Sequence, residues 1–431
     1  MNNSVKAVIL AAGKGTRMKS ETPKVLHKIL NKTILGYVLD AVNATGEVAE
    51  NYVIVGHQAE LVENFVKENY ANAKCCLQSP QLGTGHAVYQ AYDSLKGFDG
   101  EVVILNGDIP LITPETLKEF IAAHREHKAS LTVMSAIFND PSNYGRIIRD
   151  EKGSVKAIIE EKDATPAQKK IQEINTGVYL LNWKDMSDAF LHLDSNNAQG
   201  EYYLTDIVKW AIANGLKTEA YVLKNNEESF GINSKIQLAQ AGKILNKRTL
   251  YKLMEDGVTI VDPDTTYISG DTEIGADTIV YPCTYIEGKN KIGKDCKIGP
   301  FARLRGDVEI GDSVKIGNFV EVKKSVIKSN TNVSHLSYIG DSELGSGVNI
   351  GAGTITANYD PISKVKSRTV LEDGANTGSN TVLVAPVTLK ENAMTAAGSV
   401  VSKNIEKDAL AITRAPLRVI SGWVSRLKKH D

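Results

Sequence analysis

The chain is 431 residues long and sets 50 Lys and Arg against 51 Asp and Glu, a formal charge of −1. That balance argues against nucleic acid or another polyanion as a partner, because such partners favour a clustered basic excess. Hydrophobic residues make up 42% of the chain, enough for two or three domains of ~100–200 residues, yet no stretch approaches the ~18 apolar residues of a membrane span.

The first predicted element is "VKAVILAAG" (5–13). A lysine inside it and a Gly-Lys-Gly turn at its end mark a buried strand rather than a signal segment. In the loop that follows, "LAAGKGTRMKSETPK" (10–24), Gly13 and Gly15 leave room for backbone N–H groups to approach a phosphate. Lys14, Arg17 and Lys24 add positive charge. The third glycine of a dinucleotide fingerprint would fall at Met18, and the string does not match a Walker loop. "YVIVGH" (52–57) and "EVVILNGD" (101–108) read as further buried parallel strands, with a second Gly-rich turn, "QLGTGHA" (81–87), between them. Asp108 then sits at the C-terminal end of a strand, where α/β sheets bind ligands. Mg2+ takes one or two carboxylate or amide oxygens plus phosphates, so a single Asp suits it. "ETLKEFIAAHREH" (115–127) sets Leu117, Phe120 and Ile121 on one helical face. The alternation of strands and helices over residues 1–230 predicts an α/β domain. The four cysteines, at 75, 76, 283 and 296, form no CxxC pair and read as reduced thiols of a cytoplasmic protein.

Residues 231–257 read as a connecting helix that Gly257 stops. Beyond it the period changes. Ile268, Ile274, Val280, Ile286, Ile292, Ile298, Leu304, Ile310, Ile316 and Val322 recur every sixth residue. A hexapeptide period predicts a β-helix over 258–431, with its aliphatic side chains stacked inside and Gly, Asn and Asp at its turns. The phase slips by one at Ile327 and again at Leu344, on either side of "SHLSYIG" (334–340), so the coil is expected to depart from its repeat around His335. A polar loop interrupts the pattern at "NYDPISKVKSRT" (358–369).

The string from Leu10 to Lys24 resembles the signature of sugar-1-phosphate nucleotidyltransferases. "PKVLH", "QLGTGHA", "YGRI", "EEKDAT", "INTG" and "NNAQGEYYLTD" follow it in order. In the second half, "GNFVEVKKS", "HLSYIGD" and "NIGAGTITANYD" continue the likeness. The whole chain is similar to the bacterial bifunctional N-acetylglucosamine-1-phosphate uridyltransferase/glucosamine-1-phosphate N-acetyltransferase family. The resemblance implies an α/β nucleotidyltransferase (Rossmann-like) domain followed by a left-handed parallel β-helix of hexapeptide repeats. For the first domain it implies UTP binding by Leu10, Ala11, Ala12, Gly13, Lys24, Gln78, Gly83 and Thr84. Sugar contacts would come from Gly145, Glu160 and Asn175, with Mg2+ held by Asp108 and Asn233. For the second it implies His335 as general base, and Arg305, Lys323, Tyr338, Asn349 and Lys364 on the amino-sugar phosphate. Acetyl-CoA would meet Ala352, Asn358, Tyr359, Ser379, Ala397 and Arg414. A homotrimer built through the β-helix is also implied.

The sequence departs from the family at Asn106, where Tyr is usual, and at "RLRG" (303–306), where "RLRP" is usual. Its β-helix is shorter by about one or two coils of roughly 18 residues. A small insertion falls at 367–377. Two other readings compete: a single-activity nucleotidyltransferase with a structural or regulatory β-helix, and an inert scaffold. His335 and Lys323 argue against the first; Lys24, Asp108 and Asn233 argue against the second.

Overall fold

The computed structural model describes residues 4–427. They divide into two compact units at Ile244/Leu245.

The first unit is built on one twisted sheet. Its strands are β1 (Val5–Leu10), β2 (Val48–Val55), β3 (Ala73–Leu77), β4 (Glu101–Asn106), β5 (Leu131–Ile137), β6 (Arg146–Arg149), β7 (Val155–Ile159), β8 (Glu173–Asn182) and β9 (Thr218–Val222). The lateral order is β9-β5-β8-β4-β1-β2-β3, with β6 joined to β8 and β7. β1 lies parallel to both β2 and β4. Val8 and Ile9 are fully buried, because helices cover both faces of this part of the sheet and leave no polar side to alternate with. One such helix, Pro114–His127, starts where the Thr113 hydroxyl accepts from the Thr116 N–H, with Pro at the first turn. That Pro costs nothing there, since the first N–H groups of a helix have no intrahelical acceptor.

β8 departs from the expected parallel alternation. It runs antiparallel between β4 and β5. Its buried run, Val178–Leu181, has the composition of a parallel core strand, and composition does not encode direction. The strand order reverses at β1/β4, so the carboxyl ends of these two strands open a crevice. Leu10 is in register with Asn106 there, and the Gly107 N–H donates to the Leu10 carbonyl at 2.9 Å. The turn after β1 and the turn after β4 are thereby held side by side.

The helix Lys235–Glu255 ends at Gly257, whose φ of 96° lies in the region that favours glycine. Leu250 and Leu253 enter the core of the second unit. That unit is the left-handed parallel β-helix: three parallel sheets of six, eight and seven short strands wind around one aliphatic interior. Every residue of the hexad series from Ile268 to Val322 is buried. The corners are turned by residues with positive φ. One column of corners runs through Asp277, Asp295, Ser313 and Asn330; another through Cys283, Phe301, Phe319 and Leu336. Ile316 sits in register between Ile298 and Val333 with no exposed surface. Ile316→Ala is expected to cost ~2–5 kcal/mol, since coils on both sides hold the cavity open. Chemical denaturation would check this.

The two slips in the hexad fall at Ile327 and Leu344, as the spacing indicates, but not around His335. Register between neighbouring coils changes from 18 residues (Lys297↔Lys315) to 17 (Lys315↔Asn332). The lost residue comes from the corner after Lys323 and again from the corner after Gly340, where Ile327 and Leu344 close the turn early. His335 ends a strand of the six-stranded sheet, away from these corners, and keeps its ladder register with Asn318. Spacing along the chain shows that a corner is short, but the corner itself is identified only when coils are aligned in space.

The polar loop is a hairpin. The Ser367 N–H donates to the Asn358 carbonyl at 2.8 Å and the Asp360 N–H to the Val365 carbonyl at 3.0 Å, and Tyr359 pairs antiparallel with Lys366.

Candidate active sites

In the first unit, one pocket of about 460 Å³ gathers all eight residues expected to hold UTP: Leu10, Ala11, Ala12, Gly13, Lys24, Gln78, Gly83 and Thr84. The loop after β1 is anchored from outside itself. Ala12 accepts through its carbonyl from the His57 N–H at 3.2 Å and from Gln81 Nε2 at 2.7 Å. Gln78 is buried and donates to the Gly83 carbonyl at 2.9 Å. Gly83 has φ 117°, and a Cβ there would stand 2.6 Å from the Tyr202 carbonyl oxygen. Gly83→Ala is therefore expected to push the loop off Tyr202 and raise the KM for UTP about 10-fold or more, the scale of losing a well-placed backbone donor. Steady-state kinetics at varied UTP would show it.

An adjoining pocket of about 510 Å³ is lined by Gly145, Glu160 and Asn175, expected for the sugar, and by Asp108 and Asn233, expected for the metal. The Asn175 N–H donates to the Gly145 carbonyl at 2.9 Å, and its Nδ2 donates to the buried Tyr179 hydroxyl at 2.8 Å. Burial pushes the Glu160 carboxyl up, and the neighbouring Asp163, Asp206 and Glu201 add to this, while a Thr205 hydrogen bond opposes it. Leu10, Thr84, Asn106 and Asp108 line both pockets, so the two ligands would meet at Asp108.

The residues around Asp108 suit a cation. Lys24 Nζ lies 2.5 Å from Asp108 Oδ2 and 3.2 Å from Asn233 Oδ1. Its ammonium already holds the place on which the two oxygens converge. One carboxylate and one carboxamide oxygen form a partial donor set that phosphates complete, which is how Mg2+ is commonly held. Asn106 and Tyr144 also line this region; neither was among the expected ligands. The departure at Asn106 drew notice in the sequence, but Tyr144 carried no signal beyond its place in "YGRI".

In the second unit the expected residues fall into two groups. His335 ends the strand Asn332–His335 and is exposed. The register Asn332↔Asn349, the bridge Asn349↔Asn376 and the bridge Asn376↔Met394 stack successive coils. Three residues on from each, His335, Ala352, Ser379 and Ala397 form one column along a corner. The Asn380 N–H donates to the Ala352 carbonyl at 2.7 Å, and the Gly398 N–H to the Ser379 carbonyl at 2.8 Å. Arg414 caps the column by donating to the Ala397 carbonyl at 2.8 Å. At ~4.8 Å per coil, the column offers an extended track that begins at the histidine.

The second group lies at the opposite edge of the adjoining sheet. Arg305 is in register with Lys323, and Lys323 with Gly340. Tyr338 folds its phenol over Gly340, where a Cβ would stand 2.4 Å from the hydroxyl oxygen. Tyr338 thus reaches from the histidine corner toward the two cations. Arg305 is also paired with Glu321 at 2.8 Å. Asn358 donates from Nδ2 to the Asp341 carboxylate, and Tyr359 is half exposed on the hairpin. Lys364 occupies the exposed hairpin turn with φ 58°.

The family model for nucleotidyl transferases matches residues 6–236, more than half of the chain. The model for the bacterial transferase hexapeptide (six repeats) matches residues 291–324. Fold and sites together define the class, a nucleotidyltransferase joined to a hexapeptide-repeat transferase. The "Bifunctional protein GlmU" of Acetivibrio thermocellus is 44% identical over 451 aligned residues, covering 97% of this chain and 96% of its own. Its namesakes in Thermoanaerobacter pseudethanolicus and Clostridium acetobutylicum are 46% and 43% identical, each with 97–98% of both chains covered. The chain belongs to the bifunctional GlmU family.

Proposed function

We propose that the chain makes UDP-N-acetylglucosamine at two separate sites. Residues 258–431 transfer the acetyl group of acetyl-CoA to glucosamine-1-phosphate; residues 1–230 then transfer uridylyl from UTP to N-acetylglucosamine-1-phosphate; residues 231–257 connect them. The observation that carries this reading is the double convergence: eight nucleotide residues in one pocket of the first unit, and the column from His335 to Ala397 in the second. A passive stalk or a scaffold needs neither.

In uridylyl transfer a sugar-phosphate oxygen attacks the α-phosphorus of UTP and pyrophosphate leaves. No protein nucleophile is required, so alignment and charge neutralisation do the catalysis. Backbone N–H groups of Ala12 and Gly13 and the Lys24 ammonium would meet the phosphates, while the Ala11 N–H is held by the Ile54 carbonyl at 2.9 Å. Gly145, Glu160 and Asn175 seat the sugar. Asp108 and Asn233 would hold Mg2+, which when bound neutralises phosphate charge.

In acetyl transfer His335 takes a proton from the 2-amine as the new N–C bond forms. The C–S bond then breaks, and the proton passes on to the departing CoA thiolate. Imidazole suits this because it titrates near neutral pH. Arg305, Lys323, Tyr338, Asn349 and Lys364 bind the amino-sugar phosphate. Ala352, Asn358, Tyr359, Ser379, Ala397 and Arg414 bind acetyl-CoA.

Assembly into a homotrimer is supported by one corner of the β-helix. Phe301 and Phe319 stack at 5.1 Å while about half exposed, and Leu336, the next rung, is 60% exposed. Exposed apolar ladders of this kind mark protein–protein contacts. This one ends beside His335, so a second copy seated on it would wall the acetylation site. No helix among the described residues is long and apolar enough to cross a membrane. Both co-substrates are metabolites of the cytoplasm, where we place the enzyme.

The test supplies glucosamine-1-phosphate, acetyl-CoA, UTP and Mg2+, and then omits each in turn. UDP-N-acetylglucosamine is expected only from the full set. Product without acetyl-CoA, or acetylation that needs UTP, would overturn the two-site reading.

A further inference from the structure

The hairpin over residues 358–367 brings a lysine to the phosphate edge that the family resemblance did not supply. We propose that Lys366 is a ligand of the sugar phosphate in the acetyl-transfer site, completing a three-cation cradle with Arg305 and Lys323. The inference rests on the acetyl-transfer reading above.

The geometry is as follows. Arg305 and Lys323 are ladder neighbours at the end of their strands. Just beyond them the coil corner is one residue short, at Lys324 and again at Asp341. The shortened corners leave a recess whose lining sets Lys324, Lys366 and Arg368 beside Asp307, Glu309 and Asp341. The hairpin is folded against this recess. Asn358, buried at its base, donates to the Asp341 carboxylate. Tyr359 pairs with Lys366 across it. Val365 and Lys366 are both exposed on the hairpin, and Lys366 lines the recess beside Lys324.

The electrostatics agree with that placement. The Lys366 ammonium beside Lys323 is the largest influence holding the Lys323 ammonium below the usual lysine range, followed by burial, the charge of Lys366 and that of Arg305. Asp341 opposes them. Arg305 has Glu321 and Glu287 as carboxylate partners. Among the described residues neither Lys323 nor Lys366 is in an ion pair with a carboxylate. Two ammonium groups held together repel, Asp341 offsets this only in part, and a phosphate dianion removes the remaining repulsion while accepting hydrogen bonds from both. A structural role for Lys366 would instead call for a carboxylate partner or an apolar stem contact.

The test compares the parent with Lys366→Met and Lys366→Arg, using glucosamine-1-phosphate and glucosamine as acceptors. Lys366→Met is expected to raise the KM for glucosamine-1-phosphate about 10- to 100-fold, the worth of one charge-assisted hydrogen bond, with kcat little changed. The KM for acetyl-CoA, uridylyl transfer and the rate with unphosphorylated glucosamine should match the parent. Lys366→Arg should recover most of the affinity. A parental KM in the Met variant would overturn the proposal. So would an equal loss with both acceptors, which marks a folding effect. Calorimetry of glucosamine-1-phosphate binding without UTP separates the two levels of inference. Weaker binding in the Met variant of a protein that cannot acetylate would keep Lys366 as a phosphate ligand and sink the acetyl-transfer reading. Equal binding by the two proteins would sink the Lys366 proposal alone.

Discussion

Asp108→Ala is expected to reduce uridylyl transfer by ~10²–10³-fold or more, the scale seen when a preorganised charge-stabilising group is removed. The carboxylate shares one cationic partner with a second oxygen. Lys24 contacts it at 2.5 Å, and Asn233 meets the same ammonium at 3.2 Å. Removing it halves the oxygen pair available to a divalent cation. It also releases Lys24, which then has only a neutral carboxamide to hold its ammonium in the crevice. Both losses fall on the transition state, where negative charge spreads over the phosphate oxygens. Acetyl transfer should be unaffected, because the residues proposed for it lie in the other compact unit. Pyrophosphate release with UTP and N-acetylglucosamine-1-phosphate measures the first effect, and thiol release from acetyl-CoA the second. Pyrophosphate release at the parental rate would remove Asp108 from the site.

His335→Ala is expected to reduce acetyl transfer by ~10²–10⁴-fold, the usual contribution of a general base. The side chain is exposed at a coil corner and its carbonyl accepts from the Ser337 hydroxyl at 2.7 Å. That bond uses the backbone, so the substitution leaves the corner intact. Val333, which carries the core contact of this strand, is untouched and fully buried. Thermal unfolding should therefore match the parent, and uridylyl transfer should persist. Acetylation close to the parental rate would reject the base role. A fall in both activities with a lower Tm would point to damage of the coil instead.

Much of the architecture was legible in the chain because it is repetitive or local. A hexapeptide period has one compact solution, an interior stack of aliphatic side chains with turns between, so Ile268 to Val322 specify the β-helix almost unaided. The loop from Leu10 to Lys24 is legible for a similar reason. Its glycines and cations are close in sequence, the pattern of a phosphate-binding loop. The helix ending at Gly257 is marked by its own residues.

What remained hidden depends on residues far apart. The direction of β8 is decided by its pairing with β4 and β5, since Val178–Leu181 would suit either direction. The convergence of Lys24, Asp108 and Asn233, separated by up to 209 positions, follows from β1 and β4 being neighbours at the sheet's reversal point. The short corners after Lys323 and Gly340 lie at the edge that carries Arg305 and Lys323, although along the chain they seemed to flank His335. Lys366, two residues from the more obvious Lys364, meets Lys323 only because a hairpin folds back across the coils. Local periodicity and turn chemistry determined the elements and the class. Long-range register, set by which strands share hydrogen bonds, decided which charges face one another, and charge at close range is what the proposed chemistry uses.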